Sequence, residues 1–183
     1  MYQINMDSMF SNCQSLKSLE LNNFKTESVN SMSSMFKDCK KLNNLDLSNF
    51  NTSNVEYMDS MFSGCNNLDS LDLSNFKTPN LKNMNSMFKG CNSLKEIDMP
   101  NFNTLNILNY TDIESIFENC DNMKYLNLLN YENKDIFNPI SNNSNLTICI
   151  NDYSQINNAQ NSLKENNVPI ICCKKNLLNI ILN

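Results

Sequence analysis

Residues 32–50 read MSSMFKDCKKLNNLDLSNF, and this stretch decides the fold because it recurs at a fixed step along the chain. The opening phrase MSSMF has counterparts that begin at residues 6, 58 and 84, so neighbouring copies are 26 residues apart. A fifth copy, IESIF, begins at residue 113, which places three inserted residues inside the segment from Thr104 to Thr111. A constant period of this length is the signature of stacked repeat proteins.

Each copy contains two different hydrophobic periods. Its first half has the i, i+3, i+4, i+7 spacing of one helix face, at Met32, Met35, Phe36 and Cys39. This spacing predicts a short helix of about two turns. In the second half, residues 45–47 alternate Leu, Asp, Leu, which predicts a short strand with one buried face.

A single copy cannot enclose its own apolar side chains. At about 2 kcal/mol for each, its nine apolar groups contribute roughly 18 kcal/mol, which is less than the ordering cost of about 1.5 kcal/mol per residue. We therefore expect successive copies to stack, with parallel strands about 4.8 Å apart. The predicted fold class is an α/β solenoid that has a parallel β-sheet on one face and short helices on the other.

The repeat pattern also predicts the domain organisation. Residues 1–131 form the five-copy solenoid, and residues 132–183 form irregular terminal repeats and a C-terminal cap. Two further strands are expected in the cap, at residues 147–150 and 169–173, with a helix between them at residues 154–166.

The segment from Met35 to Ser48 resembles the F-x-x-C-x-x-L-x-x-L-x-L phrase of BspA-type leucine-rich-repeat surface proteins. Residues 91–100 are more similar still, because Pro100 follows the strand as it often does in those repeats. The resemblance extends over about residues 6–131 and implies a leucine-rich-repeat solenoid. It also implies a cell-surface or secreted protein that adheres to host proteins or other cells. This chain departs from the ordinary repeat at Phe50, where a buried Asn is usual.

Composition and charge exclude several classes of function. Histidine is absent, which removes the commonest general base and most catalytic zinc ligand sets. The chain has only two glycines and a formal net charge of −5, which argue against phosphate-binding loops and nucleic-acid partners. The N-terminus shows no signal peptide, and no apolar stretch approaches the roughly 20 residues of a membrane-spanning helix. We therefore expect no enzyme activity, no cofactor and no membrane insertion.

Five of the eight cysteines recur at one repeat position: Cys13, Cys39, Cys65, Cys91 and Cys120. Stacking would align them in one column among apolar neighbours, which favours buried free thiols over disulfides or a metal site. Cys149, Cys172 and Cys173 lie outside the column, and neighbouring cap strands would bring Cys149 close to the other two. For these three, a single disulfide and simple packing are both open.

The outward strand positions are the candidate binding surface, because solenoids usually present ligands to such a face. The middle strand residues form an acidic ladder: Glu20, Asp46, Asp72, Asp98 and Asn127. Tyr125 and Leu129 add apolar surface at the C-terminal end of this face and are its candidate hot spot. A solvated face, a protein-binding face and a calcium site are the alternatives, and none of these residues is assigned a catalytic or metal-binding role.

The leading functional hypothesis is a protein-binding or adhesion module that contacts host or neighbouring-cell surface proteins. The second is a structural spacer or stalk within a larger surface protein. This alternative is favoured by a sequence that begins within a repeat and shows no N-terminal cap. In that case the first copy should expose apolar surface.

Overall fold

The computed structural model describes residues 4–107, 115–127, 146–150 and 170–172. These residues contain seven short strands: β1 Ile4–Asn5, β2 Val29–Ser31, β3 Ser70–Asp72, β4 Glu96–Asp98, β5 Tyr125–Asn127, β6 Thr147–Ile150 and β7 Ile170–Cys172. Strands β1 and β2 form one parallel sheet, and β3 to β7 form a second parallel sheet in sequence order. The described part of the chain is therefore a parallel β-repeat structure.

The five-stranded sheet is built in the register that the repeat predicts. Leu71 is aligned with Ile97, and Ile97 is aligned with Leu126, one copy at a time. All three side chains are buried, whereas Ser70 and Asp72 on either side of Leu71 are exposed. Strands β6 and β7 lie within the two cap segments that the sequence predicted. The matching segments of the first two copies, residues 19–21 and 45–47, are not β-strands.

The prediction of a short helix in each copy is wrong. Residues 33–38 form consecutive turns, and Ser34 and Asp38 have φ values of 57° and 59°, in the left-handed region that a right-handed helix cannot include. The backbone N–H of Phe36 donates to Met61 O at 2.9 Å, in the next copy, instead of to a carbonyl four residues earlier. Stacked turns therefore reproduce the helical spacing of buried side chains. We call residues 32–39 and their counterparts in the other copies the turn strip.

A second column of strand pairing was not predicted. Besides the β1–β2 pair, single parallel bridges join Ser31 to Tyr57 and Tyr57 to Asn83. This column directly precedes the turn strip in each copy. Neighbouring copies are thus joined along two strand columns and one turn column, and no helix is present in the described ranges.

Two columns of aromatic rings show that the copies share one core. The rings of Phe36 and Phe62 are 5.7 Å apart at an interplanar angle of 6°, and those of Phe62 and Phe88 are 5.6 Å apart at 4°. The full columns are Phe10, Phe36, Phe62, Phe88 and Phe117, and Phe24, Phe50, Phe76 and Phe102. The prediction that apolar positions align between copies is confirmed for these residues.

Polar side chains also connect neighbouring copies. The hydroxyl of Thr52 is buried and donates to Lys77 O at 2.9 Å. The amide of Asn75 donates to Leu47 O and to Phe50 O, each at 3.0 Å. Counterparts of these bonds occur at Thr26, Thr78 and Asn49, and the amide of Asn101 donates to Ser74 O of the preceding copy. Thr and Asn at these positions therefore satisfy backbone carbonyls between the copies, a role the sequence did not reveal.

The backbone pattern of the repeat continues into the segment from Thr104 to Thr111, in which the sequence placed the three inserted residues. The backbone N–H of Ile107 donates to Thr104 O at 3.0 Å, as Val55 does to Thr52 O in an earlier copy. Ile107 is buried like Val55. Because these residues keep the 26-residue step, the three inserted residues lie beyond Ile107. The predicted helix at residues 154–166 lies outside the described residues.

Candidate functional site

The outward face of the five-stranded sheet brings part of the predicted acidic ladder together. Asp72 is aligned with Asp98, and Asp98 with Asn127, on adjacent strands. Glu20 and Asp46 occupy the equivalent positions of the first two copies, and both are exposed together with Asp72. Like charges on neighbouring strands repel one another, so this surface favours positively charged groups.

Asp46 and Asp72 each hold the turn that follows them. Asp46 Oδ1 accepts the backbone N–H of Ser48 at 2.9 Å, and Asp72 Oδ1 accepts that of Ser74 at 2.8 Å. Hydrogen bonding from Ser48 lowers the pKa of Asp46 below its ordinary value. Asp46 therefore remains charged at neutral pH. Each of the two carboxylates combines a local structural role with exposure to solvent.

Asp98 is in a different environment from the other acidic residues. Position 100 is proline, which has no backbone N–H, so Asp98 cannot form the turn bond made by Asp46 and Asp72. Its Oδ1 instead accepts the side-chain amide of Asn127 at 2.6 Å. Burial raises the pKa of Asp98, the Asn127 hydrogen bond opposes this, and the charge of Asp72 adds to the increase.

The predicted C-terminal end of the face needs correction. Asn127 was predicted to be an outward contact residue, but its side chain is buried, at 7% exposure, and is bonded to Asp98. Tyr125 is half-buried, and burial raises the pKa of its hydroxyl, with further increases from Asp98 and Glu96. Leu129 lies outside the described residues. The accessible ladder therefore consists of Glu20, Asp46 and Asp72, which we call the acidic face.

Four cysteines of the repeat column are buried free thiols, as predicted: Cys39, Cys65, Cys91 and Cys120. Each thiol donates to the carbonyl of the phenylalanine in the preceding copy, as Cys65 Sγ does to Phe36 O at 3.2 Å. Burial raises the pKa of Cys39 to about 11 and that of Cys65 to about 12. These thiols are accordingly unreactive at neutral pH. Cys13, the fifth member, is exposed.

The terminal cysteines include a disulfide. Cys149, on β6, is buried and disulfide-bonded. The five repeat cysteines are free. The disulfide that the sequence left open is therefore present at Cys149, whereas the side chains of Cys172 and Cys173 lie outside the described part of the chain.

The first copy exposes apolar surface, as the sequence predicted. Met9 is 47% exposed, whereas its counterpart Met35 is fully buried. Ile4 is 46% exposed, and Cys13 is exposed as well.

Neither a metal site nor a membrane-spanning helix is found in the described residues. No group of three or more Cys, Asp or Glu side chains in them is arranged to hold a metal ion. No helix in them is long and apolar enough to cross a membrane.

Comparison with known proteins identifies one family. Residues 4–131 match the family described as "Mycoplasma protein of unknown function, DUF285", a BspA-like repeat family. No curated protein and no solved structure matches the chain. The matched segment covers the five copies and more than half of the 183 residues. The chain therefore belongs to the DUF285 family.

Proposed function

We propose that this chain is a leucine-rich-repeat solenoid that acts without catalysis as a protein-binding or adhesion module, and that the acidic face contacts a basic surface of a host or neighbouring-cell protein. The observation that carries the proposal is the repetition of Glu20, Asp46 and Asp72 at one exposed position of a stacked structure. A charged surface of this kind increases the association rate with oppositely charged partners and selects against acidic ones.

The fixed position of these carboxylates supports a binding role. Asp46 and Asp72 are each held at Oδ1 by a backbone N–H. Their orientation is therefore set before a partner arrives, which reduces the entropy lost on binding. The neighbouring copies that carry the carboxylates are also held together by stacked rings and inter-copy hydrogen bonds.

The proposed location is the cell surface or the extracellular space. The disulfide at Cys149 supports it, since disulfides persist mainly in oxidising compartments. The family resemblance to BspA-type surface proteins points the same way.

The test is a double substitution, Asp46→Asn with Asp72→Asn, which removes two charges and keeps an oxygen that accepts the Ser48 and Ser74 N–H groups. Asp98 is left unchanged because its replacement would also break its hydrogen bond with the buried Asn127 amide. The control is Glu27→Gln with Glu118→Gln, which removes the same charge away from the acidic face.

Surface proteins captured by the wild type are identified and purified, and their affinities are then measured at about 50 and about 150 mM salt. We expect the Asp46/Asp72 variant to bind at least about tenfold more weakly at the lower salt and to show a smaller salt dependence. The control variant should bind like the wild type. Equal affinity and equal salt dependence of all three proteins would rule out the acidic face.

A structural spacer is the second candidate function. It is favoured by the uniform stacking, in which successive rings of one column lie 5.5 to 5.7 Å apart from Phe10 to Phe117. A spacer predicts that no surface protein is captured by the acidic face, so the same binding measurement distinguishes it from the first proposal.

A further inference from the structure

Tyr57 is an exposed aromatic side chain in the interior of the stack, with 38% of its surface accessible. The other large hydrophobic side chains exposed in the described ranges are Ile4, Met9 and Leu105. The first two belong to the first copy, and the third lies in the segment that contains the insertion. Tyr57 has a described copy on each side, because parallel bridges join it to Ser31 and to Asn83. Its exposure is therefore not an effect of the end of the stack.

Tyr57 also departs from the pattern of its own column. The equivalent positions in the other copies hold small polar residues, Asn5, Ser31 and Asn83. In the described part of the chain, no aromatic stacking and no side-chain hydrogen bond involves Tyr57. Its ring therefore remains available to an outside group, and tyrosine is one of the residue types enriched in binding hot spots.

Asp59 lies on the same outward face as Tyr57. One copy earlier, the hydroxyls of Ser31 and Ser33 are 3.3 Å apart, so positions separated by two residues are neighbours on this face. Asp59 Oδ1 accepts the Ser33 hydroxyl at 2.6 Å, which fixes the carboxylate. Among the described residues, its side chain forms no other hydrogen bond, so Oδ2 is open to a further donor.

The charges around Tyr57 favour a cation. Lys82 Nζ is 2.8 Å from Glu56 Oε2, so these two charges compensate each other. Asp59 has no ion-pair partner within the described ranges, and its negative charge is left beside the exposed ring. An arginine guanidinium suits this arrangement, because it is planar, stacks on an aromatic face and donates N–H groups to a carboxylate.

We propose that Tyr57 and Asp59 form a docking site for an arginine side chain on the surface of a partner protein. The guanidinium stacks on the Tyr57 ring and donates to Asp59 Oδ2. The site lies on the strand column that precedes the turn strip, whereas the acidic face belongs to the other strand column. It is therefore a separate contact that does not depend on the acidic face.

The test follows the ring signals of Tyr57 by nuclear magnetic resonance in the full chain, with isotope-labelled tyrosine. Tyr57→Ser, which introduces the residue found one copy earlier, assigns the signal among the six tyrosines. An end-blocked Gly-Arg-Gly peptide is titrated at about 50 mM salt, beside the same peptide with neutral citrulline in place of arginine. We expect a saturable shift with arginine. Affinity should be at least about threefold weaker with citrulline, on the order of an exposed cation–π contact and a surface ion pair.

Asp59→Asn should weaken arginine binding by a similar factor, since it removes the charge and keeps an oxygen for the Ser33 hydroxyl. The matched control, Asp46→Asn with Asp72→Asn, should leave the Tyr57 shift unchanged. No saturable shift, equal affinity for the citrulline peptide, or tighter binding of maltotriose than of the arginine peptide would each overturn the proposal. The citrulline and maltotriose comparisons use the unaltered chain, so they decide the question even if Asp59→Asn does not fold.

Discussion

Phe62 provides the most informative single substitution, because its ring lies between two others. The side chain is fully buried and stacks on Phe36 at 5.7 Å and on Phe88 at 5.6 Å. Truncation of a buried Phe to Ala generally costs about 3–5 kcal/mol, and a stacked aromatic pair adds about 0.5–1.5 kcal/mol beyond area burial. With a ring on both sides, Phe62→Ala should lower the free energy of unfolding by about 4–5 kcal/mol.

Phe10→Ala is the matched control within the same column. Phe10 is only partly buried and stacks on one ring, that of Phe36 at 5.5 Å, with a tilted contact to Phe24. We expect it to lose about 1–2 kcal/mol, since less apolar area leaves water. Urea unfolding followed by circular dichroism measures both variants. Equal losses at the two positions, or a loss below about 1 kcal/mol for Phe62→Ala, would refute the stacked core.

Three further predictions concern glycine, the buried carboxylate and the buried thiols. Gly64→Ala should lower the melting temperature more than Gly90→Ala; both have φ of 74°, but a Cβ on Gly64 lies 2.5 Å from a carboxylate oxygen. Asp98→Ala should cost about 1.5–3 kcal/mol in urea unfolding, because it removes the hydrogen bond that the buried Asn127 amide donates to a charged carboxylate. The stability conferred by the neutral Cys65 thiol should be present below pH 9.0 and decrease as the pH rises toward about 12, which urea unfolding across that range measures.

Each of these predictions has its own control. Asp38→Ala removes the carboxylate that meets Gly64, so the difference between the two glycine variants should disappear in that background. Asp72 accepts a backbone N–H at the surface, so Asp72→Ala should cost less than Asp98→Ala. Cys65→Ala should flatten the alkaline loss of stability. A steeper loss in that variant would contradict the assignment to buried thiols.

The repeat period and the strand alternation were sufficient to predict the parallel sheet. A step of 26 residues requires equivalent positions to align, and alternation assigns Leu71 to the core and Asp72 to solvent. The aligned aromatic rings follow from the same two patterns. The 26-residue period and the alternation can both be read from the sequence alone, because they show which residues must be buried and which positions must align.

The helix could not be distinguished from the turn strip by apolar spacing. In a helix, Phe36 N–H bonds within the same segment, whereas here it bonds to Met61 O in the next copy. The available signal was local: in all five copies, the residue at the position of Asp38 is Asp, Asn or Gly, three residue types that tolerate positive φ. That signal competes with a strong i, i+3, i+4 pattern, which favoured the wrong secondary structure.

Whether a residue of the candidate site is buried depends on the neighbouring copy as well as on its own copy. Asn127 occupies the same position as Asp72, and alternation alone places both outward. The replacement of Ser74 by Pro100 one copy later removes the N–H that would hold Asp98, so its carboxylate turns to Asn127 instead. Pro100 is visible in the sequence, but its effect on Asn127, on the neighbouring strand, could be recognised only from the structure.

The central claim is that the turn strip bonds between copies and not within a helix. Nuclear magnetic resonance detection of scalar coupling across hydrogen bonds tests it directly in isotope-labelled protein. We expect a correlation from the Phe36 backbone nitrogen to the carbonyl carbon of Met61, and from Phe62 to Met87. Correlations from Phe36 to Met32, four residues earlier, would instead establish a helix and contradict the account.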